Sequence, residues 1–320
     1  MRVAAGNLSR RLLRRREAGI FLALIGLMVL IAAYRREFVS PTNLYIVSRQ
    51  VAFTAIVSLG VFFVILTSGI DLSIGSVVGL SGVLCGIAMA AGVPAWLAVG
   101  VGLLTGAVIG AINGGIVAYV GVTSFIVTLG MLSMARGAVL VLTHGDSIRA
   151  IPDSFIRVGL ADIAGVPVPV VVLAVIAAAA HVVLTYTVFG RRVYAVGGNE
   201  EATELSGINV RRVKFFTYVI SSTLSSVTGI LFIARFRSAQ ANAGLGMELD
   251  AIAATVIGGT SLMGGQGSVL GVLIGATIMG VIRNGLVLMD VSAYLQELII
   301  GAIIVLAATL DVVRSRRRAR

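Results

Sequence analysis

The chain has 320 residues, of which 58% are hydrophobic and only 12% charged, with a formal net charge of +11. A water-soluble domain carries about 25% charged residues, so most of this chain has no water-facing surface, and an all-α polytopic membrane protein is expected. The basic residues flank apolar runs without interleaved aromatics, which fits anchoring to anionic lipid headgroups and argues against a nucleic-acid partner.

A membrane-spanning helix needs about 20 mostly apolar residues. Such runs recur at 18–34, 44–66, 73–91, 95–118, 121–143, 167–188, 214–234, 249–263, 268–288 and 294–311, about ten spans in all, with 249–263 the shortest. They are continuously apolar rather than alternating, which favours helices over a barrel. The 39 glycines spread through them are expected to let helix backbones approach closely. The chain is thus divided into a basic segment at 1–17, a transmembrane body at 18–311 and a basic tail at 312–320.

At the N-terminus stand Arg2, Arg10, Arg11, Arg14, Arg15 and Arg16. The first apolar run has no small-residue cleavage site before Arg35 and is read as an uncleaved helix, not a signal peptide. Arg191, Arg192, Arg211, Arg212 and Lys214 form a second basic cluster, and Arg314, Arg316, Arg317, Arg318 and Arg320 a third. An even number of spans puts all three on one side, which the positive-inside rule makes cytoplasmic.

After the second run comes "TSGIDLSIGS", with Asp71 in an otherwise apolar neighbourhood. A charge near the bilayer centre costs roughly 2.5–3.5 kcal/mol on insertion scales. In one reading Asp71 caps the next helix by accepting from the N–H of Ser73 or Ile74. In the other, the segment is an unwound break whose Thr67, Ser68, Asp71 and Ser73 border a polar solute's route, since irregular backbone at membrane depth lines a cavity or is buried in protein. The two roles are compatible. Asn113 in "GAVIGAINGGIV" and Asn284 in "GATIMGVIRNGLV" are further path candidates. These two stretches echo each other, as do 68–76 and 258–267, a pattern common in transporters built from repeats.

Cys85 lies inside a run and reads as a small apolar core residue. His144 and His181 are isolated. No G-x-x-x-x-G-K-[ST], H-E-x-x-H, C-x-x-C or G-x-S-x-G is present, and Lys214 is the single lysine, so neither ATP hydrolysis, a metal centre nor any catalytic residue is expected.

The loop 190–214 reads "GRRVYAVGGNEEATELSGINVRRVK". Asn199 is a helix N-cap, Glu200 and Glu201 suit the first turn, and Gly207 is placed to end the helix. A short exposed helix over 200–206 results, fit to dock a cytosolic partner. Loops 144–166 and 235–248 fall on the other side, where Arg149, Arg157, Arg235 and Arg237 are candidate contacts for acidic residues of a partner protein; Glu248 is a further candidate contact, and with Asp250 it also suits the first turn of the eighth span. "GGTSLMGGQG" at 258–267 predicts a tight polar turn, and without a nearby lysine it is not a phosphate cradle.

Taken together, "SGIDLSIGS", "AVGGNEEATELSGINVRRVK", "ELDAIAATVIGGTSLMGGQGS" and "RNGLVLM" resemble the permease subunits of bacterial ABC importers of the ribose, xylose and galactose class. The resemblance runs over about residues 44 to 310, and the N-terminal 40 residues depart most. It implies a multi-pass inner-membrane permease that carries a ribose-type sugar, or a related polyol or signalling molecule, into the cytoplasm. It also implies pairing with a second permease subunit, identical or not, a cytosolic ABC ATPase and a periplasmic or lipid-anchored sugar-binding protein. ATP and Mg then belong to the ATPase, and this chain binds no cofactor. The coupling helix received by the ATPase would comprise Asn199, Glu200, Glu201, Ala202, Thr203, Glu204, Leu205, Ser206, Gly207 and Ile208. An ion-coupled secondary transporter is the alternative, with Asp71, Asp290 and Glu297 as the carboxylates it requires. A channel is disfavoured by the lack of a ring-forming filter.

Overall fold

Each apolar run is helical over most of its length, and five of the described helix starts are set by side chains that satisfy the orphan N–H groups of a first turn. The computed structural model describes residues 16–318; the arginines at 2, 10, 11, 14, 15 and 320 lie outside them. In chain order the helices are α1 (Arg16–Tyr34), α2 (Pro41–Leu66), α3 (Ile74–Ala90), α4 (Ala95–Gly115), α5 (Ser124–Thr143), α6 (Asp153–Leu160), α7 (Val168–Tyr186), α8 (Val188–Gly198), α9 (Glu200–Leu205), α10 (Val210–Phe236), α11 (Met247–Ile257), α12 (Val269–Leu288) and α13 (Ala293–Arg318). A two-residue hairpin, β1 (Asp162–Ile163) with β2 (Val166–Pro167), precedes α7. Ser40 accepts from the N–H of Asn43 with Pro41 beside it, Thr187 from Gly190, and Ser268 from Gly271.

Among the described residues, seven helices are long and apolar enough to cross a membrane: α1, α2, α4 with its π-turn to Val120, α5, α7, α10 and α12. α3 and the apolar part of α13 are shorter. The run predicted at 249–263 is helical only to Ile257. Beyond it, Gly259, Gly264, Gly265 and Gly267 adopt positive φ, a region glycine enters without steric cost, so the chain leaves the helix there.

Helices α2, α10 and α12 form the inside of the bundle. Their apolar windows are 83%, 56% and 67% buried, against 11–28% for α1, α4, α5 and α7. The outer helices present Phe21, Leu30, Trp96, Leu104, Val141 and Val175 outward, the surface a lipid environment accepts at no cost.

Apolar side chains gain little by leaving lipid, so close packing holds such helices together. α4 carries Gly102, Gly106, Gly110 and Gly114 at four-residue spacing, one face of a helix. A Cβ at Gly110 would meet the Tyr218 carbonyl oxygen at 2.6 Å, one at Gly114 the Phe215 carbonyl oxygen at 2.7 Å, and one at Gly106 the Ser222 carbonyl oxygen at 2.5 Å. The backbones of α4 and α10 therefore touch. The matching face of α10 holds Ser221, Ser222, Ser225 and Ser226, all buried.

Contacts sort the connections to two rims. Arg35 pairs with Asp290, the Tyr45 hydroxyl donates to Asp162, and Ile148 bridges Ala239 at one rim. At the other, the N–H of Gly265 donates to the Leu66 carbonyl, Ser68 Oγ to the Met263 carbonyl, and Ser268 Oγ to Glu17. The start of α1 and the loop 190–214 thus share the second rim. α13 starts beside the first rim and runs 26 residues, about 39 Å at 1.5 Å per residue, enough to bring its basic end to the second as well.

Gly110→Val is expected to destabilise the chain by about 1–3 kcal/mol through overpacking against α10, whereas Gly100→Ala, with nothing within 4 Å, leaves stability nearly unchanged. Thermal unfolding of the purified chain in detergent compares the two; equal midpoints would refute the close approach.

Candidate functional site

Between α2 and α3 the chain is unwound over residues 67–73. Ser68 sits at φ 60°, a conformation uncommon outside glycine. The segment then enters the bundle, and Asp71 is fully buried. Its Oδ1 accepts from the N–H of Ser73 at 3.0 Å and from Ser73 Oγ at 2.6 Å, and its Oδ2 accepts from Ser221 Oγ of α10 at 2.9 Å. Asn113 Nδ2 of α4 donates to Ser73 Oγ at 2.9 Å. The free backbone of Ile70 is also satisfied: its N–H donates to Ser124 Oγ and its carbonyl accepts from Thr128 Oγ1, both at 3.2 Å. The bond to the Ser73 N–H is the one expected of Asp71, but Ser73 is itself the N-cap of α3 and, among the described residues, no side chain caps that helix; the bond instead closes the turn before the helix, inside the protein, where unwound backbone at depth must be paired.

Below the break lies a cavity of about 400 Å³, lined by Thr67, Ser68 and Gly69, by Ser124 of α5, by Glu200 and Glu204 of α9, and by Arg211, Lys214 and Tyr218 of α10. Thr67 and Ser68 line this space. Asp71, Ser73 and Asn113 do not line it; they form the network behind it. Asn284 belongs to neither group. It exchanges hydrogen bonds with Asn43, Nδ2 of each donating to Oδ1 of the other at 2.8 and 3.0 Å, because α12 brings it to the start of α2.

The floor of the cavity is α9. Asn199 Oδ1 accepts from the N–H of Ala202 at 2.9 Å, and Gly207 follows at φ +80°. Lys214 Nζ reaches both carboxylate oxygens of Glu200 at 2.7 Å. Thr203 is buried beneath the helix, while Glu201, Ala202, Glu204 and Ser206 are exposed and Leu205 is 83% exposed; Ile208 is half-buried and returns the chain to α10. α8 pins this loop to the bundle. A Cβ at Gly197 would land on the Leu66 carbonyl oxygen, and Tyr194 hydroxyl donates to the Gly267 carbonyl at 3.0 Å. The loop therefore contacts the irregular segment 258–267 and the last residue of α2, at the edge of the segment 67–73.

At the opposite rim Arg149, Arg157 and Arg237 are exposed. Two of the predicted contacts point elsewhere. Arg235 lies over the rings of Phe53 and Phe236, 5.5 and 5.6 Å from their centroids. Glu248 is half-buried beside Gly75 in the first turn of α3, where a carboxylate complements the positive helix end. Sequence reasoning missed Arg136, whose guanidinium donates to the carbonyls of Ala241 and Ala243 at 3.3 and 3.0 Å, and Arg283, which pairs with Asp250 at 2.8 Å and Glu297 at 3.5 Å. The available signal was the charge itself: arginine within an apolar run demands a partner. Asp290 and Glu297 are both largely exposed and ion-paired, which leaves Asp71 as the one buried carboxylate of the three that an ion-coupled route would need.

Residues 43–308 match the family described as branched-chain amino acid transport system / permease component. The chain is 43% identical over 298 residues to the ribose import permease protein of Haemophilus influenzae, covering 92% of each chain. It is 40% identical over 297 residues to the ribose import permease protein of Bacillus subtilis, again covering 92% of each. The D-allose transport system permease protein of Escherichia coli is 37% identical over 275 residues, 86% of this chain and 84% of that one. No solved structure matches.

Asp71→Ala strips three hydrogen-bond donors of their acceptor, at about 1–3 kcal/mol for each one left unpaired, and a clear drop in the unfolding midpoint is expected. Asp71→Asn keeps an acceptor for the Ser73 N–H and is expected to fold. Equal midpoints for both variants would remove the carboxylate from its structural role.

Proposed function

Because the chain belongs to the branched-chain amino acid transport system / permease component family, we propose that it carries a ribose-type monosaccharide into the cytoplasm, driven through α9 by a separate ATPase. It is the multi-pass inner-membrane permease subunit of a bacterial ABC importer of the monosaccharide class and not itself an enzyme. Such importers work with an ATPase and a solute-binding protein. The sugar reading follows the ribose and allose permeases, which resemble this chain over most of its length.

The observation that carries the drive mechanism is α9 itself: a capped helix with an apolar Leu205 projecting at the rim that also holds the start of α1. A lone exposed leucine on an acidic helix suits a groove on a partner, with the apolar side chain as anchor and the carboxylates at the edge. The rim bearing α9 then faces the cytoplasm. Two permease subunits, identical or different, pair around the solute path, and ATP and Mg stay in the ATPases.

The transmission follows from the contacts. Closure of the ATPases displaces α9. The Glu200–Lys214 ion pair hands that displacement to α10, and Gly197 and Tyr194 hand it to the breaks at 67–73 and 258–267. These segments have no intrahelical ladder to lose, so they deform before the close-packed α4–α10 pair does. The opposite rim, with Arg149, Arg157 and Arg237 exposed, receives an acidic face of the sugar-binding protein.

Leu205→Asp is expected to lower ATP-driven uptake of D-ribose by about tenfold or more, the scale of an interface anchor, in proteoliposomes containing the ATPase and binding protein. Thermal stability of the chain is expected to be unchanged, since Leu205 packs on nothing in it. Uptake driven by an ion gradient with neither partner present would overturn the reading.

A further inference from the structure

A second cavity, about 390 Å³, opens near the rim opposite α9, between α2, the end of α10, the loop 237–246, α11 and α12. The mechanism above makes no use of it. One wall is aromatic: Phe53 meets Phe232 edge-on at 4.8 Å between ring centroids, and Phe232 meets Phe236 at 5.4 Å. A second wall carries the amides of Gln50, Gln240 and Asn242, whose side chains make no hydrogen bond among the described residues. Arg235 lies across Phe53 and Phe236 and likewise forms no ion pair or hydrogen bond among the described residues. The far wall is the ion-paired trio Asp250, Arg283 and Glu297, with Arg283 Nε left without a hydrogen-bond partner among the described residues.

The volume sits at the small end of the roughly 300–1,000 Å³ of small-molecule sites. Its chemistry is double. Phe232 and Phe236 keep partly exposed apolar ring surface for sugar C–H groups, while three amides and a guanidinium offer both acceptors and donors to hydroxyls. A neutral polyhydroxylated ring presents those two faces together; an apolar ligand would leave the amides unpaired and a bare ion would leave the rings unused. The floor of the cavity is also connected. Gly244 packs against the Gly75 carbonyl, four residues from Asp71, so a solute held here lies at the upper end of the unwound segment.

We infer that this cavity is a resting site within the permease for a single neutral monosaccharide, between release from the binding protein and passage along the solute path. The inference rests on the reading of the chain as a sugar permease. A site on a transport path must hold its solute loosely enough to let it go, so millimolar-range affinity is expected.

Asn242→Cys tests it in the full-length chain with its partner ATPase in lipid nanodiscs. Asn242 is exposed and the single native thiol, Cys85, is buried, so a membrane-impermeant methanethiosulfonate reports on the cavity alone. D-ribose, D-allose and D-xylose are the probes, and glycine betaine at equal osmolarity is the control. At least one sugar is expected to slow modification saturably by about threefold or more, an effect that Arg235→Gln and Gln240→Ala weaken about tenfold in concentration dependence, as lost polar partners do, and that Ser133→Ala, on the exposed face of α5, leaves intact. Equal rates with and without every sugar, or slowing matched by betaine, overturn the inference. So does failure of both Asn242→Cys and Gln240→Cys to react, which would mean the cavity does not open to solution. ATP-driven uptake measured on the same preparation separates the two readings: uptake without protection removes the resting site and leaves the permease function, whereas protection without uptake keeps the site and removes the import function.

Discussion

One carboxylate holds the break in this bundle. Asp71 is buried and bonded to three donors, and those bonds fasten a non-helical stretch of backbone between α3 and α10. Lipid offers no hydrogen bonds, so an unwound segment persists at depth only where protein groups replace water. Ser73, Ser221, Asn113, Ser124 and Thr128 are those groups, and the polar face of α10 is explained by them. A serine-rich central helix would be a poor choice against lipid; inside the bundle it is a rack of donors.

Around that break the molecule divides into stiff and yielding parts. The glycine face of α4 lets two backbones touch, and the low volume of the contact leaves no room for side chains to rearrange. By contrast, residues 67–73 and 258–267 hold their shape through individual hydrogen bonds and glycine conformations. α8 attaches to 258–267 and to Leu66 at the edge of 67–73, and α9 attaches to the start of α10. A displacement at one rim therefore concentrates in the segments least able to resist it, which is the arrangement expected of hinges that absorb backbone rotation while packed elements move as units.

What the sequence reveals follows from the range of each interaction. The apolar runs are visible because lipid imposes length and continuity on every span. The cap at Asn199 and the stop at Gly207 are visible because a helix end is decided within four residues. The bond from Asp71 to Ser73 is likewise local. Its other partner, Ser221, is 150 positions away, and the pairing of Asn284 with Asn43 spans 241; no periodicity announces such contacts. Arg235 and Glu248 were assigned to a docking face from their position beside a span, but their direction is set by aromatic rings and a helix end that only tertiary packing brings near. The glycine run at 258–267 is recognisable as a turn, and its seat against Gly197 and Leu66 is not.

The Asn43–Asn284 pair has a further consequence. It clasps the start of α2 to the end of α12 with two neutral amides in reciprocal hydrogen bonding. Neither group titrates and neither attracts counterions, so this buckle keeps its strength in acid, in alkali and in brine. The rim it fastens is the one proposed to meet the external medium, whose composition a bacterium does not choose. The ionic link between Glu200 and Lys214 sits at the rim proposed to face the cytosol, whose regulated salt and proton concentrations suit a charge pair, whereas the Arg35–Asp290 pair beside the amide buckle is open to screening.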